Sequence, residues 1–471
     1  MILKYTNRNT SLFFVRLIYR FLSITGIVLL FSSLAFSSIL LLNTEKYKQI
    51  IQNSFNYELI SDQTVVRAST GWGSDRATEC LSLSMGLNKK DRLKNLLINS
   101  YPSPREDVYN PCLGLKSWAF NDTGNYKWST YARYWFGNSV FVIWLTYFFG
   151  IGFVRNFLFC FLLIGYGLLI RTLALNLLNF GVKPKVAYIV PSASLLIYFF
   201  LSGTVDLINS IPHLLSELLL IFFAIIVNSY IQRRNIKDLF LIGICLGEIY
   251  VFLCFALNPQ SLLIFTFTWV ICPIILFVEK PVAFLFKGIS VVLGISVGFV
   301  TFWATKLVII NFTTDFPIWE EFRTQLTLRS SQNIHLFSSG VSQHFNLPPK
   351  LPAYLQSVVV NFAALLAKIW DPRFSSTYLI WIALGITLFC TVLITKNKFI
   401  ASINKNQNSF IILRHLIFFV SFFVCLIWYS LLPQHSFDHA TYTYRSLALS
   451  LSSFAFILSP YFFDTNQVAK K

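Results

Sequence analysis

The sequence predicts an all-α integral membrane protein with about ten transmembrane helices. Apolar residues make up 55% of its 471 positions and charged residues only 12%, about half of the roughly 25% that is usual in globular proteins. The apolar residues fall in uninterrupted blocks of about 18 to 25, a length that crosses a hydrocarbon core of about 30 Å. Backbone groups in that core must be paired within the segment, so we expect the blocks to be helices.

The first predicted span covers residues 17–42 and follows a basic N-terminal segment, which is typical of a retained membrane anchor with a cytoplasmic N-terminus. A polar segment of mixed charge at 43–137 is predicted to be a large extracytoplasmic loop. Residues 138–152 are apolar and aromatic but too short to cross comfortably, so we expect a helix that lies in the membrane interface.

Six spans between 156 and 309, a second extracytoplasmic loop at 310–375 and three spans between 376 and 462 complete a single transmembrane domain over 1–471. The predicted spans after the interfacial helix are 156–177, 187–202, 213–230, 238–257, 259–278, 288–309, 376–395, 412–431 and 443–462.

The distribution of basic residues supports this topology. With ten spans, every predicted cytoplasmic segment carries Lys or Arg with almost no acids, as the positive-inside rule requires, and both termini are cytoplasmic. The same placement explains the net charge of +18 without nucleic-acid binding, because many of the Lys and Arg residues lie in short loops between apolar blocks. The basic residues of these segments after the first span are Lys183, Lys185, Arg233, Arg234, Lys237, Lys280, Lys287, Lys396, Lys398, Lys405, Arg414, Lys470 and Lys471.

The ionisable residues within predicted spans include Glu217, Glu248 and Lys306. An ionisable side chain in a span costs on the order of 2.5–3.5 kcal/mol on insertion scales, so lipid-facing positions are disfavoured. Several interpretations remain open: a polar cavity that opens to the outside, a buried Glu–Lys pair that holds helices together, or snorkelling of residues near the helix ends.

The first loop holds the candidate general bases Asp62, Asp75 and Glu79, with Arg76 beside them. A carboxylate that takes the proton of an acceptor hydroxyl is one interpretation; a solvated helix start with acids near the positive end of the helix dipole is the other. Cys80 and Cys112 are the two cysteines of this loop, and an oxidising compartment favours a disulfide between them.

Further polar residues gather beside the membrane on the same predicted face. Arg445, at the mouth of the last span, suits phosphate capture, and it also suits an interfacial anchor among tyrosines. Arg133 poses the same choice. A divalent metal ion is the less favoured interpretation of the histidines here, and no cofactor is predicted. The candidate substrate-binding residues are Arg76, Tyr131, Arg133, Asp206, His213, His435, Asp438, His439 and Arg445.

Two motifs carry a family resemblance. The Tyr-Ala-Arg-Tyr-Trp-Phe-Gly run at 131–137 and the His-Ser-Phe-Asp-His-Ala-Thr-Tyr-Thr-Tyr-Arg run at 435–445 resemble motifs of a group of bacterial multispanning proteins. That group usually has His where Phe136 stands here, which weakens any catalytic role for this position. The overall layout is similar to that of the C-type (GT-C) glycosyltransferases, which implies a bacterial inner-membrane enzyme.

The resemblance implies a base among Asp75 and Glu79, with Asp62 as a competitor, and a lipid phosphate surrounded by Arg76, Arg133, His435, His439 and Arg445. It further implies transfer of a sugar from a polyprenyl-phosphate donor to a cell-envelope acceptor on the extracytoplasmic face, with the lipid bilayer and the lipid-linked sugar as partners. A transporter or flippase of lipid-linked glycans, a polymerase or ligase, and a structural membrane protein remain the alternatives.

Overall fold

Long apolar helices dominate the computed structural model of the chain. The structure describes residues 2–456 with gaps at 63–64, 67–73, 89, 91, 106–109, 255–260, 262–263, 272, 274–280, 332–351, 371–407, 439–442 and 454. The predicted span 376–395 and His439 lie outside the described residues.

Sixteen α-helices occur in the described part of the chain. They are α1 (Ile2–Ser38), α2 (Thr44–Asn56), α3 (Arg76–Ser84), α4 (Arg92–Leu97), α5 (Pro111–Ala119), α6 (Gly137–Phe149), α7 (Ile151–Asn179), α8 (Pro184–Leu201), α9 (Ile211–Tyr230), α10 (Ile236–Leu253), α11 (Pro281–Thr313), α12 (Ile318–Arg329), α13 (Ala353–Trp370), α14 (Asn408–Leu431), α15 (Pro433–Asp438) and α16 (Arg445–Ser452).

Short irregular helices and two small sheets complete the fold. Two 3-10 segments lie at Ile39–Leu41 and Thr204–Asn209, and a π-helical turn at Thr266–Ile271. Strand β1 (Val65–Val66) pairs antiparallel with β2 (Ser74–Asp75), and β3 (Tyr101–Pro104) with β4 (Tyr126–Ser129).

Five helices of the described chain are long and apolar enough to cross a membrane, which confirms the multispanning helical class. They are Val15–Leu41, Ile151–Asn179, Pro184–Leu201, Ile211–Tyr230 and Ala283–Thr313. Helix α10 has 18 residues but contains three charged side chains, and α14 coincides with the predicted span 412–431. The total of ten spans remains a prediction.

Large apolar side chains point away from the core on several of these helices. Phe149 at the end of α6 and Phe153, Phe157 and Phe161 on α7 form a stripe at a spacing of four residues, and each is at least 41% exposed. Successive rings of this stripe lie 4.6 to 5.8 Å apart. Lipid is the environment in which such an exposed apolar stripe is stable.

The described residues between 43 and 136 pack on one end of the helix bundle, here called the loop end. The Trp135 indole donates to the Phe302 carbonyl at 2.8 Å, and the amide of Ile211 donates to Glu79 at 3.3 Å. These contacts place the start of α9 and the C-terminal part of α11 at the loop end. Contacts at the opposite end include the 2.9 Å hydrogen bond from Lys287 to the Ile231 carbonyl.

Helix α6 has both of its ends at the loop end, and its position in the membrane interface stays a prediction. Gly137 lies against the ring of Phe252 near the end of α10, and Gly152, just after α6, lies near Leu59. Between them, Trp144 donates to the Ser38 hydroxyl at 2.8 Å. Gly150, with φ +75°, permits the turn into α7.

Helices α10 and α11 run parallel and approach closely through glycines spaced four apart. A Cβ at Gly247 would lie 2.3 Å from the Ile295 carbonyl oxygen, and one at Gly298 would lie 2.2 Å from that of Ile244. Gly243 and Gly294 make equally close contacts in the same seam. Small residues at this spacing are typical of helix pairs in membranes, where backbone packing replaces the hydrophobic effect.

The segment 310–375, predicted as a loop, contains the helices α12 and α13. Polar residues interrupt the apolar run of α13, and the sequence therefore indicated no helix there. In the structure these polar groups are buried and bonded: Ser357 donates to the Tyr429 carbonyl at 2.8 Å and Asn361 to that of Ser436 at 2.9 Å.

Candidate functional site

Glu79 lies in a buried ion pair at the loop end. Its side chain is fully buried, and Arg155 of α7 engages both carboxylate oxygens, one at 3.0 Å through Nε and the other through Nη2. Arg155 also donates to the Leu59 carbonyl at 2.9 Å, and the Ile211 amide donates to Glu79. This bidentate pair ties α3 to α7 and α9, which suits a structural role; a role as base stays a prediction.

A disulfide joins the neighbouring residue Cys80 of α3 to Cys112 of α5. Both cysteines are completely buried. The bond closes a segment with a sequence separation of 32 and therefore fixes the first loop as a unit at the bundle surface.

Asp62 is a half-exposed surface carboxylate paired with Lys116 at 2.8 Å. The hydrogen bond from Lys116 is the main reason why the pKa of Asp62 lies below its ordinary value. A carboxylate stabilised in this way is a weaker proton acceptor. Its backbone carbonyl also accepts from Asn110, the N-cap of α5, so Asp62 anchors that helix.

Asp75 ends β2, and Arg76 begins α3 directly after it. Strand β2 lies against the 3-10 segment Thr204–Asn209, which carries Asp206. The backbone therefore brings two predicted acidic positions together at the start of α9. The side chains of Asp75, Arg76 and Asp206 lie outside the described part of the structure.

Glu217 is the centre of a polar cluster inside the bundle near the loop end. The hydroxyl of Tyr166 donates to its Oε1 at 3.1 Å and that of Tyr198 to its Oε2 at 2.9 Å. Thr204 lies 3.3 Å from the Tyr166 hydroxyl. We call Tyr166, Tyr198, Thr204 and Glu217 the α9 cluster. His213, one helical turn nearer the start of α9, is 7% exposed.

Arg445 faces the α9 cluster from the start of α16. Its Nε donates to the Ser202 carbonyl at 3.0 Å, and the hydroxyl of Tyr444 donates to the same carbonyl at 2.8 Å. The hydroxyl of Ser202 also lies 2.8 Å from the Thr204 hydroxyl. Ser202, which directly follows α8, therefore contacts both Arg445 and Thr204.

The histidine-rich run begins in α15, which packs against α12, α13 and α14 at the loop end. Pro433 occupies the first turn of this helix. The helix carries His435 and Asp438, whose side chains lie outside the described part. Among the described residues there is no group of His, Cys, Asp and Glu arranged to hold a metal ion.

A second polar cluster surrounds Arg133, which is 9% exposed. Its guanidinium lies 4.1 Å from the ring centre of Tyr131 and 5.7 Å from that of Tyr134, and its Nη1 is 3.0 Å from Glu321 of α12. Burial raises the pKa of Tyr131, but Arg133 and Arg329 together outweigh it, so the pKa of this phenol is lowered. We call Tyr131, Arg133, Glu321 and Arg329 the α12 cluster.

Glu248 and Lys306, which the sequence analysis considered together with Glu217, have separate partners. Thr25 donates to Glu248 at 2.5 Å, while Lys306 donates to the Tyr134 carbonyl. With Glu217 bonded to tyrosines, the buried Glu–Lys pair considered from the sequence is not formed among these three described residues.

Several of the predicted residues thus lie at the loop end, in two clusters. The first cluster lies around the start of α9 and includes Glu79, Asp206, His213 and Arg445. The second is the α12 cluster, which includes Tyr131 and Arg133. Sequence reasoning assigned no role to Arg155, Tyr166, Tyr198, Glu321 or Arg329. An arginine at the mouth of a span, as Arg155 is, was a usable signal because intramembrane charges require partners.

No family model, no curated protein and no solved structure matches this chain.

Proposed function

We propose that the protein is a GT-C-like glycosyltransferase that moves a sugar from a polyprenyl-phosphate donor to a cell-envelope acceptor on the extracytoplasmic face. Such a reaction needs a base for the acceptor, positive charge for the leaving phosphate and access for a lipid chain.

One observation carries the proposal. The segment from Ser202 to Asn209 is contacted by strand β2, which ends in Asp75, and by the guanidinium of Arg445. A carboxylate position and an arginine from opposite ends of the chain therefore meet on the same short segment beside α9. A base and a cation near the same segment are two of the groups that transfer from a phosphate donor uses.

An apolar groove supplies access for a lipid chain. It lies between α1 and α6, has a volume of about 500 Å³ and is lined by side chains that include Phe31, Leu34, Phe141, Trp144 and Phe148. Because α6 and the end of α1 lie at the loop end, a polyprenyl chain in the groove would keep its phosphate near that end of the bundle.

In the proposed reaction, the acceptor hydroxyl oxygen attacks the anomeric carbon of the donor sugar. The bond between that carbon and the phosphate oxygen breaks, and the electron pair leaves with polyprenyl phosphate. A carboxylate takes the acceptor proton. We assign this role to Asp75, because Glu79 is buried with both oxygens engaged and Asp62 is stabilised by Lys116.

The test is to supply polyprenyl-phosphate sugars and acceptor glycans to the protein in proteoliposomes and to measure released polyprenyl phosphate. We expect Asp75→Asn and Arg445→Ala each to reduce release at least about 100-fold, the lower range for removal of a general base. Asp122→Asn is the matched control, because Asp122 is an exposed acid of the same loop.

Full activity of both variants would overturn the assignment of base and phosphate partner. Movement of intact donor across the bilayer without release would instead support the transporter alternative.

A further inference from the structure

Helix α1 contacts α10 at three positions along its length. Arg20 lies 3.6 Å from Asp238 at the start of α10, and two phenylalanine rings of α1 pack against Phe252 near its end. Between these contacts, the Thr25 hydroxyl donates to Oε1 of Glu248 at 2.5 Å. Glu248 follows Asp238 by ten residues, or about 15 Å of helix, which is about half of a hydrocarbon core. The carboxyl group therefore lies in the middle of the interface between α1 and α10.

Glu248 is buried among apolar side chains. Its relative exposure is 0%. Val251 and Phe252, one turn further along α10, belong to a buried apolar cluster with Val28 of α1. Its Oε2 atom is buried and has no hydrogen-bond partner among the described residues. Within this part of the chain, the Thr25 hydroxyl is thus the one hydrogen-bond donor to the carboxyl group.

Charged side chains on the neighbouring helices do not compensate Glu248. Helices α1, α6, α9 and α11 pack against α10, and their cations have other partners: Arg20 pairs with an acid, and Lys287 and Lys306 donate to backbone carbonyls. No salt bridge between described residues includes Glu248. Cys245, one turn earlier on α10, adds a thiol and no positive charge. The titratable and charged side chains described on these five helices, besides Glu248, are Arg16, Tyr19, Arg20, Tyr147, His213, Glu217, Tyr230, Lys237, Asp238, Cys245, Tyr250, Lys287 and Lys306.

Two other buried glutamates are better compensated. Both oxygens of Glu79 are held by Arg155, and both oxygens of Glu217 accept from tyrosine hydroxyls. Glu248 has a single neutral donor on one oxygen. An isolated carboxylate is so poorly solvated in a low-dielectric interior that such a group takes up a proton and becomes neutral. A proton can be added to Oε2 of Glu248 without breaking the hydrogen bond from Thr25.

We propose that Glu248 is a proton-binding site within the membrane, in which Oε2 carries a proton at neutral pH while Oε1 accepts from Thr25. The inference goes beyond the proposed function and does not depend on sugar transfer. Loss of the proton would leave a charge without a counter-ion between α1 and α10. The two helices would then have to separate until water or a cation reached the carboxylate. The bound proton therefore keeps α1 docked on α10.

Docking of α1 also affects the apolar groove, because α1 forms one of its walls. Phe31 and Leu34 of α1 line the groove. Phe31 follows Thr25 by six residues, or about 9 Å of helix. A proton on Glu248 therefore holds in place the helix that carries this wall.

The experiment is infrared spectroscopy of the protein at neutral pH in nanodiscs of ether lipids, which contain no ester carbonyl. A protonated carboxyl group has a carbonyl stretching band that an ionised carboxylate lacks. We expect Glu248→Gln to lose this band to the extent of one carboxyl group per chain. The matched controls Glu45→Gln, at an exposed acid, and Glu79→Gln, at a buried acid paired with Arg155, should lose none of it.

A second variant identifies the band without removing the acid. In Thr25→Val, Oε1 of Glu248 loses its hydrogen-bond donor, so we expect the band to remain and to shift to higher wavenumber. Ser23→Ala is the matched control on α1, because the Ser23 hydroxyl donates to the Tyr19 carbonyl of its own helix, and the band should stay in place. This pair of variants keeps the test decisive if Glu248→Gln folds poorly.

Two results would overturn the proposal: a folded Glu248→Gln protein that keeps the whole band, and a Thr25→Val protein whose band does not move. A metal cation bound to ionised Glu248 would also give no band to lose, and the proton assignment would then be wrong. Docking of α1 is tested by SDS titration. A rise from neutral to alkaline pH should lower the SDS midpoint of the wild type more than that of Glu248→Gln, and an equal loss in both would contradict the docking role.

Discussion

Replacement of Arg155 by methionine should destabilise the protein by about 3–5 kcal/mol, the range for breaking a buried ion pair from one side. Arg155 and Glu79 are 7% and 0% exposed in their side chains, so solvent screening does not reduce the effect. Two charged hydrogen bonds join them, each worth roughly 1.5–3 kcal/mol. The sum agrees with that range, and the variant leaves a buried carboxylate without its cation.

The assay is a double-mutant cycle in mixed micelles, with unfolding driven by SDS. Arg155→Met and Glu79→Gln should each lower the free energy of unfolding, and the double variant should lose less than their sum by at least about 2 kcal/mol. Arg171→Met is the control, since Arg171 is an exposed arginine of the same helix. If Arg155→Met stays within about 1 kcal/mol of the Arg171→Met variant, the ion pair is not the structural link described here.

Three further predictions concern packing, the disulfide and pH. Gly247→Ala should destabilise the seam of α10 and α11 by roughly 3 kcal/mol in the same SDS titration, because the new Cβ would lie 2.3 Å from a backbone oxygen; Gly167→Ala, with nothing within 4 Å, should not. Replacement of Cys80 and Cys112 by alanine should lower the free energy of unfolding by about 3–4 kcal/mol, the value for a closed segment of this length. Reductant should lower the melting temperature of the wild type but not that of the double variant. The pKa of Asp62 is lowered in the folded state, so ionised Asp62 stabilises the folded protein above the unfolded pKa of about 3.9, and this stabilisation is lost as the pH falls through the lower, folded pKa. Asp62→Asn should therefore make the melting temperature less sensitive to acid. An unchanged dependence of the melting temperature on pH would contradict this prediction.

The sequence predicted the helices that contain uninterrupted apolar runs. The run 213–230 corresponds to Ile211–Tyr230, and 187–202 to Pro184–Leu201. Such runs are determined by the bilayer, which leaves the backbone no other regular structure. Helix α13 was missed because Gln356 and Asn361 break its hydrophobic pattern. Both are buried in the structure, and the hydrogen bond of Asn361 to Ser436 is one that no local pattern reveals.

The partners of the candidate site could not be predicted in the same way. Charge placement indicated one polar face, and the structure does collect Arg133, Arg445 and Glu79 at one end of the bundle. The partner of Glu79, however, is 76 residues further along the chain, and the acid that holds Arg133 is 188 residues further on. Pairings at such separations depend on how the helices pack, which hydrophobic periodicity does not encode.

Buried charged residues differ in how many of their polar atoms are hydrogen-bonded. Those with every atom bonded have a structural role, and those with an unpaired atom are candidates for ligand binding. Glu79 has a donor on each oxygen, and both oxygens of Glu217 accept from tyrosines, so these acids hold helices together. Within the described part of the chain, two buried atoms, Nε of Arg133 and Oε2 of Glu248, have no hydrogen-bond partner. Because native proteins rarely leave buried polar atoms unpaired, such atoms are where a ligand, an ion or water is needed to complete the structure. At Arg133 and Glu248, unlike at Glu79 and Glu217, the described contacts leave one such buried atom to be completed.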